Sequence, residues 1–168
     1  MPAHPDSFQI DPTTGRAYVN IPDARQIAVV DLDARHVLAT WPMLNERANF
    51  PMALDPAQSL LASVFRSPPT LLLMNLATGA VRQTLAIRAD ADDVFLDTRR
   101  GRAYISCGAG VEAVLERDAT EWRRLDMVAT ATGARTSLFV PEIDRLFVGQ
   151  RAGLLKGFAA IRVYQPSS

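Results

Sequence analysis

The chain has 168 residues, 48% of them hydrophobic, with 18 basic side chains against 18 acidic ones. That length holds a domain with a real core, and a formal net charge of zero gives no field to draw the chain to nucleic acid or an anionic membrane. The composition excludes disordered and collagen-like classes, and no apolar run approaches the ~20 residues that span a bilayer.

One cysteine, Cys107, cannot close an internal disulfide and offers no partner for a cysteine zinc site. The N-terminal MPAHPDSF has neither the basic nor the apolar region of a secretory signal.

Short apolar stretches split by turn residues predict strands throughout. FQID from Phe8 and AYVN from Ala17 flank the turn Pro12, Thr13, Thr14, Gly15, where Asp-Pro opens the bend and Gly supplies a permissive φ. QIAVVDL from Gln26 and HVLATW from His36 follow as third and fourth strands. The next stretch repeats this with PMALD, SLLASV, TLLLMNL from Thr70 and AVRQTLAI from Ala80. A third set comprises DVFLD, GRAYIS, VEAVLER from Val111 and WRRLDMV from Trp122. A fourth set, SLFV, DRLFVG and AIRVYQP from Ala160, stops after three strands.

GRAYVN at Gly15 and GRAYIS at Gly101 are two copies of one phrase. Aligned on it, the units begin at Ser7, Pro51, Asp93 and Ser137, spaced 44, 42 and 44 residues apart. Four short antiparallel strands per ~40–45 residues is the period of a β-propeller blade, and stacking of neighbouring blades supplies the core. The expected fold is all-β: a propeller of four antiparallel repeats, approximately 5–48, 49–91, 92–134 and 135–168, the last three-stranded. Tyr18, Tyr104 and Phe147 fall at matching positions of the second strands and are expected to pack between blades.

AYVN, AYIS and LFVG, with the opening His4-Pro5-Asp6-Ser7-Phe8-Gln9-Ile10-Asp11-Pro12, resemble the YVTN-type β-propeller repeat family. RANFPMALD, DADDVFLD and GARTSLFVPE are similar to the closing half of a seven-bladed bacterial member. The resemblance implies a partial ring, the C-terminal four blades of a larger propeller, periplasmic if the longer protein is secreted. The alternative is a self-contained four-bladed ring. In a partial ring the end blades expose apolar faces, which predicts self-association.

Loops leading into the innermost strands converge on one mouth of a propeller channel. The candidate ligand-binding residues there are His4 and Asp6 of the first unit, Arg47 and Asn49 of the second, Asp90, Asp92 and Asp93 of the third, and Arg135 and Thr136 of the fourth. The acidic RADADD from Arg88 suggests a calcium-type oxygen cage, but it lacks the glycine spacing and terminal Glu of an EF-hand. Acidic residues at the entry to a strand are ordinarily solvated turn formers, and that is the preferred reading.

With two histidines, one cysteine and no GxSxG elbow, no catalytic triad is assembled, and no cofactor is expected. Gly108 and Gly110 lie in a turn with no helix after them, which is no phosphate cradle. The function expected is a non-enzymatic binding or scaffold propeller recognising a protein or small ligand at the channel mouth or rim. The alternative is a lactonase-like propeller hydrolase, or a metal-binding propeller using the acidic loop.

Overall fold

In the computed structural model, residues 3–119, 121–153 and 158–167 are described. They form four antiparallel up-and-down sheets. The first contains β1 (Phe8–Asp11), β2 (Arg16–Ile21), β3 (Gln26–Asp31) and β4 (His36–Pro42), and the second β5 (Arg47–Asp55), β6 (Leu60–Ser67), β7 (Pro69–Asn75) and β8 (Val81–Ala86). The third contains β9 (Ala91–Asp97), β10 (Arg102–Cys107), β11 (Val111–Arg117) and β12 (Trp122–Ala129), and the fourth β13 (Thr136–Val140), β14 (Arg145–Gln150) and β15 (Ala160–Tyr164). These are propeller blades in the expected order, with three strands in the last. Strand β5 starts at Arg47, before the expected unit boundary at 49. Ala48 is left-handed, at φ 56°, and the pairing of β5 with β6 is irregular between Asn49 and Met52. The chain divides into two compact units, Met1–Ala86 and Ile87–Ser168, each holding two sheets. No helix among the described residues is long and apolar enough to cross a membrane.

The repeated phrase marks the first hairpin of each sheet. Its four-residue turn ends in a left-handed residue: Gly15 at φ 64°, Ser59 at 49°, Gly101 at 64° and Asp144 at 55°. Glycine holds that conformation without Cβ strain, which is why GRAY occurs twice. An aspartate closing the first strand ties the turn. Asp11 accepts from the Thr13 amide at 2.9 Å, Asp55 from the Gln58 amide at 3.2 Å, and Asp97 from the Arg99 and Arg100 amides at 3.2 and 3.3 Å.

Strand alternation gives each sheet two faces. On the first sheet, one face carries the cross-strand rows Gln9–Tyr18–Val29 and Asn20–Ile27–Trp41; we call it the tyrosine face. The other carries Phe8–Val19–Ala28 and Ile10–Ala17–Val30, and is the valine face. Within Met1–Ala86 the tyrosine face of the first sheet packs on the valine face of the second. Tyr18, Ile27, Val29 and Trp41 meet Met52, Leu61, Phe65, Leu72 and Met74 there. Burying each large side chain contributes about 2 kcal/mol, and the Tyr18 hydroxyl keeps a partner in the Leu76 carbonyl at 3.1 Å.

Ile87–Ser168 repeats the scheme. Tyr104 packs edge-on against Phe139 at 5.1 Å between ring centroids, with Leu146 and Val148 beside them, and its hydroxyl donates to Asp97 Oδ2 at 3.0 Å. Phe147 departs from expectation. It pairs with Leu138 and Val163, which are 55% and 54% exposed, and is itself only half-buried. Its position matches Tyr18, but the tyrosine face of the fourth sheet is open. On the first sheet's valine face, Ala17, Val19, Ile21 and Ala28 are buried with Ala3 against them, while Phe8 and Ile10 stay exposed at the edge.

Candidate functional site

In Ile87–Ser168 the strand-leading loops do come together. Arg135 Nη1 reaches Asp90 Oδ1 and Oδ2 at 2.6 and 2.8 Å, and its Nε reaches Asp92 Oδ2 at 3.2 Å. The Ser137 amide donates to Asp93 Oδ2 at 2.6 Å, while Thr136 is exposed. The carboxylates of the acidic segment are therefore partnered, Asp90 and Asp92 by one guanidinium and Asp93 by a backbone amide, and a cation at Asp90 and Asp92 would have to displace Arg135. Among the described residues, no three His, Cys, Asp or Glu side chains group to hold a metal.

The candidates in Met1–Ala86 have different fates. His4, Asp6 and Arg47 are exposed. Asn49 does not line a mouth: it is fully buried, donating to Asn20 Oδ1 at 2.8 Å, because it sits on a strand where the amide satisfies a polar neighbour.

From Asp93 a polar chain runs outward between the third and fourth sheets. The Ser137 and Ser106 hydroxyls lie 2.6 Å apart, and Ser106 Oγ donates to Glu112 Oε2 at 2.5 Å. Glu112 is 2% exposed, and its second oxygen, Oε1, is buried without a hydrogen-bond partner among the described residues. Burial, reinforced by the Asp93 charge, pushes its carboxyl up to about 8. Burial likewise raises Asp93.

Glu112 lines a cavity of about 420 Å³. Val114, Leu125, Val128 and Leu146 form its apolar walls, Tyr104 and Tyr164 supply rings, and Asp126 adds a second, exposed carboxylate. Arg102, the lining cation, is already engaged: its Nε bonds Glu116 Oε1 at 3.2 Å and its Nη1 the Ser167 carbonyl at 2.6 Å. The Tyr164 hydroxyl is buried with no partner among the described residues.

The repeat itself explains the cavity. By strand register, the row Asn20–Ile27–Trp41 of the first sheet corresponds to Ser106–Glu112–Val128 of the third. In Met1–Ala86, Ile27 and Trp41 fill this position, with Trp41 seated on Gly79. In Ile87–Ser168, Val128 replaces the indole and leaves space, and Glu112 puts a carboxyl into it. Sequence reasoning passed over Glu112 because VEAVLER alternates like any half-buried strand. The signal was the Glu standing where QIAVVDL has Ile.

Other singled-out residues are structural. Cys107 is buried, its thiol pushed up to about 12 by burial, and donates to the Ile105 carbonyl. Arg99 and Arg100 pair with Asp144, and Arg100 also with the buried Asp97 at 2.9 Å.

No family profile matches the chain, and no curated protein matches it. Solved structures do. The chain superposes with TM-score 0.81 on a hydrazine synthase of Kuenenia stuttgartiensis, at 12% identity over 96% of this chain and 46% of that one. It superposes with TM-score 0.72 on Saccharomyces cerevisiae Sqt1, at 14% identity over 89% and 43%. With a candidate 6-phosphogluconolactonase from Bacteroides uniformis the TM-score is 0.74, at 12% identity over 94% and 53%. At such identities the likeness is one of fold, and the fold is the β-propeller. The chain spans about half the length of these neighbours.

Proposed function

We propose that this chain is a non-enzymatic binding propeller of YVTN-type repeats, a scaffold whose open sheet faces dock onto blades of the same kind. The observation that carries this reading is a register match. On the fourth sheet, Phe147, Val163 and Ile161 stand where Tyr18, Val29 and Ile27 stand on the first. In Met1–Ala86 those three side chains are buried against the valine face of the next sheet. Of their counterparts, Val163 and Ile161 are 54% and 71% exposed and Phe147 is half-buried, and together they offer a matching surface to a valine face.

On the first sheet the centre of the valine face is already covered, and its edge, Phe8 and Ile10, is the exposed part. A second copy of this chain is the occupant that supplies both an open tyrosine face and this apolar edge. Two copies also equal the length of the solved propellers that one copy half covers. Zero net charge leaves no repulsion against the pairing.

Light scattering behind size exclusion tests the reading. A species of twice 18.4 kDa is expected, reduced to a monomer by Ile161→Asp or by Ile10→Asp, both exposed positions. A stable monomer of the unaltered chain, or a ladder of ever larger species, overturns it. The hydrolase alternative gains nothing from the geometry, since Asp92 is paired with Arg135 and Asp93 receives the Ser137 amide.

A further inference from the structure

We propose that the cavity between the third and fourth sheets binds a small amphipathic amine, with its ammonium on Glu112 Oε1 and its apolar body against Val114, Val128 and Leu146. The proposal stands on geometry inside Ile87–Ser168 and is independent of how copies associate.

A volume of about 420 Å³ lies in the range of small-molecule sites, and apolar walls with few convergent polar groups are their usual lining. Glu112 supplies the polar group. Its Oε2 is held by Ser106, which fixes the carboxyl, while Oε1, on a side chain that lines the cavity, is buried with no partner among the described residues. A buried polar atom left unpaired is destabilising, and a donor reaching it removes that cost.

The charges select a cationic donor. The groups around Glu112 are Asp93 on β9, Arg102 and Tyr104 on β10, Asp126 on β12 and Tyr164 on β15. The Arg102 charge is paired with Glu116, which leaves Asp126 and Glu112 as the carboxyl groups lining the cavity without a cationic side chain of their own among the described residues. The two tyrosine rings add faces that favour an organic cation. Leu125 and Asp126 are exposed, which gives a way in from the rim.

Glu112 holds its proton near neutrality. An ammonium arriving at Oε1 favours the carboxylate, so binding expels that proton to solvent. No bond other than the O–H is broken.

The probes are 2-phenylethylamine and its neutral counterpart 2-phenylethanol, titrated into the 168-residue chain at pH 7 by calorimetry in two buffers of different ionisation enthalpy. The amine is expected to bind at least tenfold more tightly than the alcohol, with proton release approaching one per site. Glu112→Gln, which keeps shape and acceptor but no charge, should weaken the amine about tenfold and leave the alcohol within twofold. Val128→Trp, which restores the residue found at the matching position of the first sheet, should abolish both. Equal affinity for amine and alcohol, amine binding that survives both substitutions, or no binding at millimolar probe overturns the proposal. Glu112→Gln is near-isosteric, so the charge test holds even if Val128→Trp does not fold.

Discussion

The indole of Trp41 occupies the space a side chain at Gly79 would need: a methyl group added there would overlap ring atoms Cγ, Cδ2 and Cε2. Gly79 is also left-handed, at φ 73°. Gly79→Ala therefore meets strain and overpacking together, and we expect it to destabilise the protein by about 3 kcal/mol. Urea unfolding followed by tryptophan fluorescence measures this, and a change below about 0.5 kcal/mol would be inconsistent with it.

Glu112 makes stability depend on pH with a definite sign. Its folded carboxyl titrates near 8 against 4.5 when unfolded, so the folded state holds the proton more tightly. The contribution is fully present below about 4.5 and is lost as pH rises through 8. Between pH 5 and 8 the unaltered chain should lose stability, whereas Glu112→Gln should show a clearly flatter profile. Asp93, raised in the same direction, leaves a residual slope. Equal slopes in urea melts of the two proteins would refute the assignment.

Asp97 is 2% exposed and accepts from the Tyr104 hydroxyl, the Arg100 guanidinium and two turn amides. Asp97→Ala strands all of these at once, and a loss of about 3–4 kcal/mol follows. Asp11, at the same place in the first sheet, bonds mainly to threonines beside it. Asp11→Ala should cost less, about 1–2 kcal/mol, and thermal melts of the pair would show the order.

The strands and turns were legible because their causes are local. Asp11 and Gly15, or Asp97 and Gly101, bracket a turn whose chemistry lies within a few residues, and period-two alternation does the rest. Tyr18 and Tyr104 were read correctly as packing residues, but Phe147 was not, since burial depends on whether another sheet arrives. The acidic loop was visible as charge, whereas the pairing of Asp90 and Asp92 with Arg135, 45 residues beyond Asp90, is a tertiary fact. Glu112 was hidden for the same reason: only the empty space opposite Val128 distinguishes it from a surface glutamate.

Arg135 spans two half-exposed carboxylates, so Arg135→Ala should cost under about 1 kcal/mol. With the guanidinium in place, millimolar calcium is expected to leave the melting temperature unchanged. A rise of several degrees on adding calcium would restore the metal reading of the acidic segment.

Cys107 should resist Ellman's reagent in the native state and react at once in denaturant, its thiol being buried and pushed up to about 12.

The contrast between a filled and a hollow position also bears on solvent. Trp41 closes its place in Met1–Ala86 to water, whereas the cavity of about 420 Å³ in Ile87–Ser168 opens at the exposed Leu125 and Asp126. One position of the repeat is thus sealed in one half of the chain and reached from solvent in the other.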